Sequence, residues 1–148
     1  MKKVFRPNKE VEYLLSIPGV GFILAVVIVS EVGDVARFLS ASHFASYAGT
    51  TPSVHANGGK VRIGQLRSDV NRYLKWAFVE AANAISRNHR RWPHCHAARL
   101  YERVRSRRGQ QIAIGAVARH LAESTYWMLT KGEQYKEPEK GSISSTKR

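Results

Sequence analysis

Two stretches of this sequence carry residue types suited to handling phosphate. The first is Leu14-Leu15-Ser16-Ile17-Pro18-Gly19-Val20-Gly21, a Gly-x-Gly turn between two apolar segments. Glycines leave no Cβ between the backbone and an approaching phosphate, and the N–H groups that open a following helix form an anion site. Such a contact reads phosphates rather than bases. The same glycines also suit a plain tight turn between packed helices. The second stretch, Thr50 to Gln65, holds Pro52, Gly58, Gly59 and Gly64, lacks a helical period and reads as a long Gly-rich loop. Lys60 and Arg62 lie on it, and Arg67, Arg72 and Lys75 follow closely, with Arg87, Arg90 and Arg91 further on. Clustered cations give salt-dependent, largely sequence-independent affinity for nucleic acid, although any one alone reads as a solvated surface charge.

Other reactive residue types form no pattern. His94-Cys95-His96 offers ligands that diverge on one helical turn, and no second Cys/His pair stands at zinc-site spacing, so no metal is expected. His43, His55, His89 and His120 are scattered, none beside a Ser or Cys with an acidic orienter. The eleven Asp and Glu residues are dispersed. Glu31 and Asp34, the nearest to catalytic candidates within the ordered part, suit a helix end, and Asp69 suits the first turn of a helix, where its charge meets the dipole.

The composition agrees with a polyanionic partner. Lys and Arg number 24 against 11 Asp and Glu, for a net charge of +13. The 148 residues, 43% apolar, suffice for one ordinary domain with a core. The longest apolar run, Phe22 to Val29, falls far short of the roughly 20 residues that span a membrane. The N-terminus lacks the apolar run of a secretory signal, and the single Cys95 excludes an internal disulfide, so a cytoplasmic location is expected.

The elements that must position these residues read as helices. Val11 to Ser16 is predicted as a short helix stopped by Pro18, and Phe22 to Val32, apolar around its circumference, as a buried spine ended by Gly33. A short helix follows over about 41–48. Ser68 is expected to cap the next one, in which Val70, Tyr73, Leu74, Ala77, Phe78, Ala81, Ala82 and Ile85 form a core-facing stripe. Further helices are predicted from about Cys95 to Arg107 and from about Gln111 to Lys131, with Gly109 between them. The fold class is all-α: a single domain of five or six helices over 11–131, with a helix-hairpin-helix-like element at 11–33 and the Gly-rich loop. Residues 1–10 are expected to be a flexible N-terminus and 132–148 a disordered tail.

The order of motifs carries more than any one of them. Ile17-Pro18-Gly19-Val20-Gly21, then Phe38, then Phe44-Ala45-Ser46-Tyr47-Ala48-Gly49-Thr50-Thr51-Pro52-Ser53, then Asn57-Gly58-Gly59-Lys60, then Asn71-Arg72-Tyr73-Leu74-Lys75-Trp76-Ala77 resembles one family. It is the C-terminal Tnp domain of the IS one-ten group of insertion-sequence transposases, serine-dependent and bridge-RNA-guided recombinases, and the likeness runs from about Leu14 to Tyr135. The resemblance implies an N-terminal RuvC-like domain with a DEDD carboxylate set and a coiled coil ahead of this segment. A truncated chain or fragment is therefore expected, with Mg needed only by that DEDD domain and no cofactor in this chain. Implied partners are DNA, a guide RNA, a separate RuvC-like DEDD domain and further copies of the chain.

The family's nucleophilic serine, which attacks a DNA phosphate, aligns with Asn57. A carboxamide nitrogen has no lone pair free for attack, so the position is expected to be inactive, and Ser53, the other serine candidate in the loop, is a poor substitute. The expectation is a DNA-binding transposase domain, active in DNA transposition and recombination but not catalytic alone, in which Gly19, Val20 and Gly21 approach phosphate and Lys60, Arg62, Arg67, Arg72 and Lys75 line the path. A stand-alone helix-hairpin-helix DNA-binding protein is the alternative.

Overall fold

The computed structural model describes residues 8–138 except 52, 58–59 and 65–69, and residues 53–57 and 60–64 by their backbone alone. Among the described residues there are six α-helices: α1 (Lys9–Leu15), α2 (Phe22–Val32), α3 (Ala41–Tyr47), α4 (Arg72–Asn88), α5 (His96–Arg108) and α6 (Gln110–Lys131). A 3-10 turn, Val35–Arg37, links α2 to α3. The all-α expectation holds for the body of the molecule.

The Gly-rich stretch differs from the loop expected there. Ser53–Asn57 (β1) and Lys60–Gly64 (β2) pair antiparallel in the register Val54 with Ile63, Ala56 with Val61 and Asn57 with Lys60. The pattern is legible afterwards: apolar residues alternate at 54 and 56 and at 61 and 63, with Gly58-Gly59 between, a two-residue hairpin signature. Five residues per strand give too few alternations to stand out from a polar, glycine-rich background.

The spine is α6, not α2. The long helix α6 packs on α5, α4, α3 and α1, burying Ala113, Val117, Ala118, Leu121, Ala122, Thr125 and Met128. The shorter α2 packs on α1 and α4 and buries only Ala25, Ile28 and Val32, while Phe22 and Ile23 stay exposed. Being apolar on every side made α2 look central, but Leu24, Val26, Val27 and Val29 are only partly buried against the core.

The fourth helix carries the expected stripe with two corrections. Leu74, Ala77, Phe78, Ala81, Ala82 and Ile85 are fully buried, but Tyr73 is 65% exposed. The cap is Asn71 rather than Ser68: its Oδ1 accepts the backbone N–H groups of Tyr73 and Leu74 at 3.0 Å each. Phe44 sits among Phe38, Phe78 and Tyr126 at ring separations of 5.0, 6.1 and 6.3 Å, joining α3, α4 and α6.

Residues 133–138, given above to a disordered tail, run back across the helices. The Tyr135 N–H donates to Ser16 Oγ at 2.8 Å, and Glu137 Oε2 accepts the His96 N–H at 2.8 Å, at the start of α5. Tyr135 packs on the core with its hydroxyl 3.3 Å from His120 Nε2. One aromatic anchor and two satisfied backbone donors hold a strand of otherwise polar composition. The rest of that tail, 139–148, lies outside the described residues, as do residues 1–7 of the N-terminal segment.

Candidate nucleic-acid interface

The hairpin turn between α1 and α2 divides its three candidate residues by role. Gly19 has φ +84° and faces α4, where an added Cβ would lie 2.6 Å from the Ala81 carbonyl oxygen and 3.3 Å from Ile85 Cγ1. Its glycine identity is a packing requirement. Val20 is 6% exposed and belongs to the core. Gly21 is the surface residue: it N-caps α2, and an added Cβ would meet nothing within 4 Å. A phosphate contact at this turn thus rests on Gly21 and the first turn of α2, not on the whole Gly-Val-Gly triplet. Beside the turn runs a groove of about 570 Å³ that brings Ile17–Val20 together with Arg91, Trp92 and His94. Arg91 brings a cation to this groove, and Glu137 a carboxylate.

The segments that precede and follow the β-hairpin meet between α3 and α4. Gly49, φ +71°, lies where an added Cβ would be 2.5 Å from Val70 Cγ1 and 3.3 Å from Lys75 Cδ, so the outgoing and returning chains touch there. The backbone N–H of Asn71 donates to the Tyr47 carbonyl at 2.9 Å. The Asn71 amide, while its oxygen caps α4, donates to Glu31 Oε2 at 2.8 Å and to the Tyr47 hydroxyl at 3.3 Å. Arg37 closes the cluster, donating to the Val32 and Glu31 carbonyls at 3.0 Å and lying over the Phe38 and Tyr47 rings at 4.6 and 5.0 Å. The donated hydrogen bonds, from Asn71 first and Arg37 second, hold the Tyr47 phenol below its ordinary pKa.

The expected cations separate into places. Arg72 is exposed and Lys75 half-buried, its stem against Gly49, both in the first turn of α4 at the hairpin root. Lys60 and Arg62 occupy the first and third positions of β2, with Lys60 opposite Asn57 and Arg62 opposite His55. Ser53 opens β1, opposite Gly64. Arg67 lies outside the described residues. Because Gly19 meets Ala81 and Ile85 while Glu31 meets Asn71, α2 and α4 run antiparallel, with the turn at one end of α2 and the hairpin root at the other. The length of α2 sets the turn and the start of α4 about 15 Å apart.

His94, Cys95 and His96 do not converge. Cys95 is buried and N-caps α5, and burial raises its thiol pKa. His96 stacks 4.8 Å from His120. Burial, with His96 alongside, pushes the His120 pKa down to about 4. Among the described residues no three His, Cys, Asp or Glu side chains are grouped to hold a metal ion. Glu31 is spent on Asn71, and Asp34 Oδ1 accepts the Ala36 N–H at 2.9 Å. These carboxylates do not fit the Mg-binding set that the resemblance implies for the RuvC-like half. No helix among the described residues is long and apolar enough to cross a membrane.

Residues 11–97, more than half of the chain and the span from α1 to the start of α5, match the model of the transposase IS116/IS110/IS902 family. The chain belongs to that family. The transposase for insertion sequence element IS1111A of Coxiella burnetii is 26% identical over 92% of this chain and 37% of its own length. The y4pF/y4sB protein of Sinorhizobium fredii is 29% identical over 94% of this chain and 36% of its own. An insertion element IS110 protein of 43.6 kDa from Streptomyces coelicolor is 32% identical over 82% and 29%. The chain therefore spans little more than a third of the curated relatives it matches.

The clustered residues that local patterns hid are Glu31, Arg37, Tyr47 and Asn71. They lie up to 40 positions apart, and only the antiparallel packing of α2 and α4 joins them. Asn71 alone left a trace, as a side-chain oxygen directly ahead of an apolar helix.

Proposed function

We propose that this chain is the DNA-gripping domain of an insertion-sequence transposase, taking part in transposition and recombination without cutting DNA by itself. The observation that supports it best is the position of Asn57: the last residue of β1, next to Gly58-Gly59 in sequence and opposite Lys60 in the ladder. In the family resemblance this is the place of the nucleophilic serine. The carboxamide nitrogen's electron pair is delocalised into the carbonyl and the group has no hydroxyl to ionise, so it is a poor nucleophile toward phosphorus, while the neighbouring cations still attract the DNA backbone. Lys60 and Arg62 on β2, with Arg72 and Lys75 at the root, form one phosphate patch; Gly21, the start of α2 and Arg91 form the other. Ser53, opposite Gly64 at the far end of the ladder from position 57, is not the nucleophile in this reading. A RuvC-like DEDD domain, a guide RNA and a second copy of the chain are the partners that complete the activity.

A nicked suicide duplex tests the reading. The chain and its Asn57→Ser variant both bind it and form no covalent adduct on a denaturing gel; addition of a RuvC-like DEDD domain with Mg allows the variant alone to do so. An adduct formed by the unaltered chain would refute the assignment of position 57, and failure to bind duplex DNA at low salt would refute the whole reading.

A further inference from the structure

The outer face of α4 presents two large rings with nothing covering them. Tyr73 is 65% and Trp76 48% exposed, each far more than a core-facing stripe allows. They stand three residues apart, hence side by side on one helix face. No ring or cation partner for either occurs among the described residues. Trp127, also exposed, by contrast meets Tyr126 and Lys131.

The surroundings fix the chemistry of what could cover them. Arg72 stands exposed beside Tyr73, and Lys75, whose stem rests on Gly49, lies beside Trp76. A purely apolar protein partner would have to bury or displace those charges. A single nucleic-acid strand uses both features at once, since each base offers a ring face to stack and each phosphate a charge to pair. Duplex DNA keeps its ring faces inside the stack and cannot use the aromatics without unpairing. Glu80, one turn past Trp76, carries a carboxylate that disfavours a continuing phosphate backbone and limits the platform to the two rings.

We infer that Tyr73 and Trp76 form a stacking platform for two unpaired bases of single-stranded DNA at the root of the β-hairpin. The inference rests on the DNA-binding reading above and adds to it a place for strand that has left the duplex near position 57.

Trp92→Phe with Trp127→Phe leaves Trp76 as the only indole. In that background, saturating oligo-dT quenches the emission and a blunt duplex does not. Trp76→Ala and Tyr73→Ala, in the unaltered chain, each weaken oligo-dT binding by about tenfold, whereas Trp76→Phe retains most of it. Duplex affinity changes less than about twofold in all three, because the cations are untouched. Unquenched Trp76 emission at saturating oligo-dT, with duplex binding intact, would overturn the platform and leave the DNA-binding reading standing. Quenching by oligo-U alone would overturn the assignment to DNA. Loss of all nucleic-acid binding in the parent chain would overturn both.

Discussion

Replacing Gly19 with alanine separates two roles that the sequence left superimposed. If the glycine exists for close approach to phosphate, alanine should weaken DNA binding and spare the fold. The structure predicts the reverse. A non-glycine residue at φ +84° costs about 1–2 kcal/mol in backbone strain. The new methyl would also lie 2.6 Å from the Ala81 carbonyl oxygen, in the buried middle of α4, and relieving that overlap costs roughly 1–3 kcal/mol more. The stiffer unfolded chain returns about 0.4–1 kcal/mol. The net loss is about 3 kcal/mol, a fall in Tm of roughly 6–12 °C for a domain of this size. Gly21→Ala is the control: its added methyl meets nothing within 4 Å, so Tm should shift by no more than the equivalent of about 1 kcal/mol. Thermal unfolding followed by circular dichroism reads both. Parent-like melting of Gly19→Ala would refute the packing argument, and so would a loss in Gly21→Ala as large as that in Gly19→Ala.

Three further outcomes follow from the same geometry. Asn71→Ala removes the cap of α4 and the Glu31 tie together and should cost about 2 kcal/mol in chemical denaturation, against less for Glu31→Gln, which keeps an acceptor oxygen. His120 has its pKa lowered to about 4 from 6.5, so the unfolded chain binds the proton that the folded chain refuses. Stability is therefore full above about pH 6.5 and falls as the pH drops toward 4, by about 3 kcal/mol in all, and His120→Gln should flatten that acid limb in pH-dependent unfolding. Arg72→Gln and Arg91→Gln, at the two ends of α2, should each lower the salt slope of duplex binding by about one, and the double variant by the sum of the two. A double variant no weaker than either single would mean that the patches do not engage one DNA together.

Periodicity made most of the helices legible, because α2, α4 and α6 repeat apolar residues often enough to reveal a buried side. It misjudged how that burial is distributed. Tyr73 falls in the apolar period of α4 yet points to solvent, since spacing alone does not say where a neighbouring helix stops. The β-hairpin stayed hidden because its alternation lasts only five residues per strand. The ordered motifs singled out position 57 but gave no sign of the cluster between the flanking helices: Glu31, Tyr47 and Asn71 meet only after α2, α3 and α4 have packed. Gly19 fits the tight turn between packed helices, one of the two readings its sequence allows. Its neighbour in space, Ala81, lies 62 residues away in sequence and gives no local signal.

A salt titration of duplex binding decides whether this transposase-family domain grips the phosphate backbone of DNA. Fluorescence anisotropy of a labelled duplex, read at rising salt, should show log affinity falling linearly with log salt with a slope of several, largely independent of the duplex sequence. A folded chain that leaves the duplex unbound at the lowest salt, or binds it with an affinity indifferent to salt, would contradict the account.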